Sequence, residues 1–506
     1  MVHRQAEDAL APSVGPRDAR STSAPRWPEI ALVAALTVAG LALCLHRIGT
    51  TSLWLDEAFS VAGSGDLARS WRDRGGSMGL YYSLLSVWAE PSSSPGWVRL
   101  PSAVFAAATV PFVYLIGREV GGRRVALYAA SLLVVSWGFV RYGQEARSYS
   151  MVLLLAAISW WTFLRIVRSP ATWPWVAYGI ASGLVGYAHP LGVLVIAPQV
   201  VCLAAVSAPF ATLRRWAPGL ALAAVLVVPL VVLIVTSSGA EPERVPSLRL
   251  RQFEQLQTQF GGTFAVGTWA MTAGWVIGTA VVVRRMFSVA SGPRRMAWLV
   301  PALWFWVPIA GLAAISAVQP TFAARYLLGS LPAACLLVAA ALDALPHRVR
   351  SLALVVLVAL SLVSVGRLWE SPRQDWAAVV EHVADPREPT VIAFADPDLR
   401  VPFEHALLAS GDTDGVVPLA PPHSWGALPR YLPDVPLDEL VDELAEADAL
   451  WVVDWGHQPD SDPLGGRMPQ ILDHPAVAGS FCPANDTRFD GSILVLRLER
   501  STGVCD

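Results

Sequence analysis

The 506-residue chain is 54% hydrophobic, has a mean hydropathy of +0.47 and is only 15% charged, a composition that excludes an ordinary soluble globular enzyme. Of its 40 acidic residues, 25 fall in residues 368–506 while most of the basic ones precede them, so a net charge of −3 hides an apolar, basic part and an acidic, polar one. Every one of the 37 basic side chains is Arg; a Walker A loop needs Lys to reach nucleotide phosphates, so an ATP-driven pump within this chain is excluded, and no nucleic-acid partner is expected.

Residues 1–27 read as a polar, disordered cytoplasmic leader. Behind it come apolar stretches separated by Arg-bearing breaks, each near the roughly 20 residues that cross a bilayer core. About eleven spans are expected, near 28–46, 100–117, 124–141, 149–166, 172–188, 190–208, 217–236, 264–283, 297–317, 326–343 and 351–367. The predicted fold class is therefore an all-α polytopic membrane bundle over residues 28–367, with an outer loop at 47–99. No small-residue cleavage site follows the first stretch, which reads as an uncleaved helix. Short connections carry Arg118, Arg123 and Arg124; Arg165 and Arg168; Arg214 and Arg215; Arg284, Arg285, Arg294 and Arg295; and Arg348 and Arg350. The positive-inside rule turns these to the cytoplasm. In a plasma membrane, an odd span count then leaves the N-terminus cytoplasmic and residues 368–506 outside. Leu80 to Ala89 is apolar but half the spanning length, and is expected to lie along the outer surface. In residues 368–506, Val391 to Ala395, Ala449 to Val453 and Ser492 to Leu498 read as strands and Leu437 to Ala447 as a helix, a small α/β domain. Cys44, Cys202 and Cys335 fall in spans and pack as small hydrophobes; Cys482 and Cys505 fall in the exported domain and can pair.

Signatures of soluble enzymes are weak. Gly75-Gly76-Ser77-Met78-Gly79 fits a nucleophile elbow by letter but follows an Arg-rich loop instead of a strand. Asp396-Pro397-Asp398 and Asp412-Thr413-Asp414 read as turn chemistry. The outer ends of the spans are richer. Trp54-Leu55-Asp56-Glu57-Ala58 sets two carboxylates among apolar neighbours just beyond the first span. Desolvation there favours proton uptake, as a general base requires, although acidic residues also simply favour a helix start. Arg141-Tyr142-Gly143-Gln144-Glu145-Ala146-Arg147-Ser148-Tyr149 is a dense polar cluster on the same side, where ionisable residues mark a pathway or site. His189 lies at another outer turn and Arg325-Tyr326 at a third. A guanidinium can clamp a phosphate at two points where Lys offers a point charge.

At these residues the sequence resembles the GT-C superfamily of polyprenyl-phosphate-sugar glycosyltransferases, most closely the bacterial family 39 group of protein O-mannosyltransferases and lipid A aminoarabinose transferases. The likeness is carried by Trp54 to Ala58, Leu80-Tyr81-Tyr82, Arg99-Leu100-Pro101-Ser102 and Arg141 to Tyr149; Ser77-Met78-Gly79 replace a pair of Pro frequent in relatives. It implies a catalytic carboxylate at Asp56 with Glu57 as its neighbour, and a polyprenyl-phosphate-sugar donor, mannose-like, delivered within the bilayer. The acceptor would be a hydroxyl of a protein, glycolipid or cell-wall glycan. On this reading Asp56 takes the acceptor proton, Arg325 with Arg147 holds the phosphate, and Arg141, Tyr142, Gln144, Glu145, His189 and Tyr326 line the substrate site. No cofactor is required, and a divalent cation at Asp56 and Glu57 is left open. The competing reading is a transporter of an envelope precursor; transporters place ionisable residues near the midplane, whereas here they gather at span ends.

Overall fold

The computed structural model describes residues 27–73, 75–168, 171–205, 210–236, 249–289, 293–370, 374–383, 390–394, 396–411, 416–419, 447–455, 475, 479–489 and 493–501. The expected leader, the pair Asp412 and Asp414, nearly all of the 437–447 helix, and Cys505 lie outside the described residues. The membrane half runs α1 (Trp27–Leu45), three short helices α2 (Leu55–Gly65), α3 (Leu67–Asp73) and α4 (Gly79–Trp88), then α5 (Pro95–Gly121), α6 (Arg123–Val134), α7 (Trp137–Gly143), α8 (Tyr149–Arg168) and α9 (Trp173–Ala188). It continues through α10 (Ala197–Ala205), α11 (Phe210–Thr236), α12 (Leu250–Gly261), α13 (Ala265–Ser288), α14 (Pro293–Val318), α15 (Leu331–Asp343) and α16 (His347–Glu370).

Among the described residues, eight stretches are long and apolar enough to cross a membrane: α1, α5, α8, α11, α13, α14, Ala324–Asp343 and α16; α6 and α7, bent by 53°, form a ninth if taken together. Eleven is therefore not reached. Of the other two expected stretches, α9 has only 16 residues, and the second opens as a 3-10 turn, Pro190–Val195, before α10. Internal prolines in α5, α11 and α14 are tolerated because neighbouring helices and the bilayer keep these segments helical.

Burial separates the helices by role. The Ala324–Asp343 stretch is 83% buried and forms the centre, whereas α11 is 17% buried and exposes Val225, Val228, Val231 and Val235, the face suited to lipid. Close contacts rest on small residues. A Cβ on Gly278 of α13 would come within 2.1 Å of the Leu337 carbonyl oxygen of α15, and one on Gly143 within 2.5 Å of Cys44 Sγ. At the end of the bundle where α1 begins, the Arg-rich connections converge on carboxylates. Arg118 and Arg123 reach Glu29, and Arg124, Arg285 and Arg350 reach Asp343, at 3.3 to 3.7 Å. Arg168 pairs with Glu119.

Beyond α16, α17 (Trp376–Val383), β1 (Thr390–Phe394), α18 (Arg400–Ser410), β2 (Val416–Leu419), β3 (Ala449–Trp455), β4 (Phe481–Phe489) and β5 (Ile493–Arg500) build a second unit. Its five-stranded sheet has the order β2-β1-β3-β5-β4, parallel across β1, β2 and β3 and antiparallel at β3–β5 and β5–β4. Trp376, Val380, Phe394, Phe403 and Val453 fill its core. The three expected strands are present. β2 and β4 are additional: β2 is a short apolar run of four residues that holds Pro418, which an edge strand accommodates, and β4 is mostly exposed and polar. Cys482 is held in a disulfide, while Cys44, Cys202 and Cys335 are free and buried. The Asp396 turn behaves as read: Asp398 N donates to Asp396 Oδ1 at 3.0 Å. The 75–79 run is a left-handed turn, with positive φ at Gly75, Gly76 and Met78.

Candidate active site

The loop after α1 enters α2 through Trp54, whose backbone is extended. Helix starts leave N–H groups without helical acceptors, and two side chains supply them. Leu55 N donates to Gln374 Oε1 at 2.9 Å, and Trp54 N to Glu57 Oε2 at 3.3 Å. Successive residues on a helix point roughly 100° apart, so Asp56 and Glu57 meet different surroundings.

Glu57 is fully buried. Arg99 Nε and Nη2 donate to its two oxygens at 2.8 and 2.6 Å, and Ala146 N donates to Oε1 at 2.8 Å. With the Trp54 amide, this engages all the lone-pair directions of a carboxylate. Arg99 in turn donates to the carbonyls of Ile48, Thr51 and Ser52 at 2.8 to 3.0 Å. Glu57, expected beside Asp56 as its helper, is thus tied into the framework of the loop. Sharing an ion with Asp56 would require Glu57 to leave these donors, and no group of three or more His, Cys, Asp or Glu among the described residues is placed to hold a metal.

Asp56 keeps an exposed edge, its side chain being 22% accessible, and Arg147 Nη2 lies 3.4 Å from its Oδ2. Arg147 also donates to the Asp56 carbonyl at 3.2 Å and sits over the Tyr149 ring at 5.8 Å. Asp56 therefore pairs with a cation, where the sequence suggested an apolar pocket. The 53° break before α7 swings the 141–149 run toward this loop. There Arg141 Nη2 meets Glu145 Oε1 at 3.0 Å, Ser102 Oγ donates to the Arg147 carbonyl at 3.1 Å, and Ser102 and Tyr81 share a 2.8 Å hydrogen bond.

His189 caps the turn after α9. Its Nδ1 accepts the Leu191 amide at 3.2 Å, so the neutral ring carries its proton on Nε2. Burial, then the guanidiniums of Arg147 and Arg325, hold the imidazole well below its ordinary pKa. The His189 ring lies 4.7 Å from Tyr326 and 6.1 Å from Tyr149, and Tyr149 is within electrostatic reach of Arg147, Arg325 and Asp56. Arg147 and His189 thus lie against Tyr149, with Tyr326 beside His189 and Arg325 and Asp56 within electrostatic reach. An apolar slot lined by Val152, Leu191, Val195, Trp304 and Leu327 opens beside Tyr326.

Two other expected residues hold the framework together. Gln144 Nε2 donates to the Cys44 and His46 carbonyls at 3.1 and 2.6 Å, while its Oε1 accepts from Trp369 at 3.2 Å, joining the ends of α1 and α16. Tyr142 donates to Gln259 at 2.9 Å. Arg99, Gln374, Tyr81 and Ser102 were not expected as site residues. Arg99 and Tyr81 had a signal in the quoted motifs; Gln374 had none, since it is 319 residues from Leu55.

Residues 92–234 match the family model of dolichyl-phosphate-mannose-protein mannosyltransferases. No curated protein sequence matches the chain. Among solved structures, ArnT from Cupriavidus metallidurans in the apo state aligns over 93% of this chain and 98% of its own, with a TM-score of 0.61 at 13% identity. The same protein bound to undecaprenyl phosphate aligns over 92% and 98%, with a TM-score of 0.58 at 13% identity. The Archaeoglobus fulgidus oligosaccharyltransferase in the apo form aligns over 85% and 70%, with a TM-score of 0.52 at 12% identity. The chain is a multi-pass membrane protein that shares the fold of these structures, and the resemblance read in its sequence is supported by the family match over residues 92–234, which include Arg99 and Arg141 to Tyr149.

Proposed function

We propose that the chain is a membrane glycosyltransferase that moves a mannose-like sugar from a polyprenyl-phosphate donor to a hydroxyl of a protein, glycolipid or cell-wall glycan. The observation that carries this reading is the partly exposed Asp56 beside Arg147, whose guanidinium lies over Tyr149, the ring that His189 also approaches. The residues 92–234 match and the shared fold support it. The ArnT complex with undecaprenyl phosphate supports the class of donor.

The chemistry follows from these groups. Asp56 accepts the proton of the acceptor hydroxyl as that oxygen bonds the anomeric carbon. The bond from this carbon to the phosphate oxygen breaks in the same step, inverting the anomeric centre. The departing phosphate already carries its charge well, so one base suffices, unlike the two carboxylates of a glycosidase. Arg325 and Arg147 offset the phosphate charge, and neutral His189 offers an Nε2–H donor. Glu57 and Arg99 are positioning residues.

Residues 368–506 and the Asp56 face lie outside the cell on this reading. Alkaline phosphatase fused after Leu368 should be active and one fused within the 284–295 connection inactive. The function itself is tested by sugar transfer from a purified polyprenyl-phosphate-mannose donor in detergent, where a transporter has nothing to catalyse; absence of transfer to protein, glycolipid and glycan acceptors alike sinks it.

A further inference from the structure

We infer that the polar face of α12 and the indole of Trp137 form a carbohydrate-binding subsite, an inference that rests on the functional reading above. Trp137, Tyr142, Glu254, Gln255, Thr258 and Arg325 line a cleft of about 500 Å³, within the roughly 300–1,000 Å³ that small-ligand sites occupy. Glu254, Gln255 and Thr258 follow one another at helical spacing along one face of α12, whereas Leu256 and Phe260 are buried on the other. Glu254 and Gln255 are exposed along the cleft, as the polar face of an amphipathic helix is, and the same cleft carries an aromatic plane and a guanidinium.

These are the groups that recognise a sugar. Carboxylate, amide and hydroxyl side chains pair with ring hydroxyls, and the C–H face of the ring lies on an indole, which combines apolar area with a polar edge. The walls are held in place. Gln259 accepts from Tyr142 at 2.9 Å and donates to the Ala324 carbonyl at 2.8 Å, tying α12 to α7 and to the turn that carries Arg325. The cleft also communicates with the Asp56 loop: the Arg141 guanidinium lies 6.0 Å from the Trp137 ring and 5.9 Å from the Trp54 ring. Arg325 joins the cleft to the phosphate side. A sugar here therefore lies beside Arg325, whether it is the donor's own ring or that of a glycan acceptor.

The experiment uses the full chain in detergent and measures equilibrium binding of three probes: sugar-free polyprenyl phosphate, polyprenyl-phosphate-mannose and a soluble mannose oligosaccharide. Trp137→Ala and, on the solvent side, Gln255→Ala should each weaken one of the two sugar-bearing probes about three- to tenfold, as expected for losing one aromatic or hydrogen-bond contact. Sugar-free lipid phosphate should bind as before. Loss confined to the lipid-linked probe assigns the donor ring, and loss confined to the oligosaccharide assigns the acceptor. Unchanged affinities, or equal losses that include the sugar-free lipid, overturn the subsite. Wild-type protein that binds the oligosaccharide but not the lipid phosphate would instead remove the donor reading and keep the subsite. Thermal melting of each variant separates these results from misfolding, and Gln255→Ala alone decides the matter if Trp137→Ala fails to fold.

Discussion

Arg99 grips Glu57 through two parallel hydrogen bonds of 2.8 and 2.6 Å, and the same guanidinium holds the carbonyls that precede α2. Both side chains are buried, so removing one partner strands the other charge away from water. Breaking such a pair costs on the order of 3–5 kcal/mol. Glu57→Ala should lower the melting temperature sharply and reduce activity together with it. Arg99→Lys should do much the same, because an ammonium cannot reproduce the fork. A Glu57→Ala protein that melts normally yet has lost transfer would place Glu57 in the chemistry.

Asp56→Asn tests the base directly. The amide keeps the size of the side chain and can still accept from Arg147, but it cannot take up the acceptor proton. Turnover should fall by roughly 10²- to 10⁴-fold, the contribution of general-base help, with melting and donor affinity little changed. Transfer at a near-normal rate by well-folded Asp56→Asn would reduce Asp56 to a helix-start residue.

Gln374 closes the start of α2 from the far side of the chain: its Oε1 accepts the Leu55 amide at 2.9 Å and the Trp376 indole N–H at 3.1 Å. Gln374→Leu removes the one oxygen that serves both donors and leaves a helix-start amide without its partner, a loss of about 1 kcal/mol or somewhat more. We expect a several-fold drop in kcat with KM nearly constant, since Asp56 sits in the next position. Gln374→Glu, which keeps an acceptor oxygen, should restore most of the rate. Equal kcat in wild type and Gln374→Leu would show that the helix start holds without it.

Asp454 in β3 gives the second unit a pH dependence. Burial pushes its carboxyl up to about 6 and nearby Asp396 adds to this, against the Trp455 amide that it accepts at 2.7 Å. A carboxyl whose folded pKa lies above its unfolded value favours folding when protonated. Its ionisation therefore costs stability progressively as pH rises from about 4 to 6, and the cost stays constant above that. Asp454→Asn retains the acceptor without the charge. It should slow amide exchange across β1 and β3 at pH 7, by an amount corresponding to roughly 1–3 kcal/mol, and leave exchange near pH 4 unchanged. Equal exchange in the two proteins at pH 7 would disprove the linkage.

Periodicity and composition made much of the architecture legible. Apolar runs of about 20 residues locate most of the helical membrane half because burial in hydrocarbon depends on local composition. Strands β1, β3 and β5 are visible as apolar runs of five to eight residues, whereas β4 is mostly exposed and polar and the apolar run of β2 is only four residues and holds Pro418. Asp56, Arg147, His189 and Arg325 could be picked out singly as ionisable groups at helix ends. The approach of Arg147 and His189 to Tyr149 could not, since it depends on the 53° bend before α7 and on the turn at His189. Hydropathy measures apolar length and does not register a backbone diverted at Pro190, so the count of eleven spans is not confirmed. Which carboxylate is exposed was beyond the sequence as well. Asp56 and Glu57 are adjacent and chemically alike, and only the packing of Arg99 on one and Arg147 on the other distinguishes them. The Leu55–Gln374 contact spans 319 residues; it exists only once the second unit docks, since no local pattern encodes a hydrogen bond between segments so far apart.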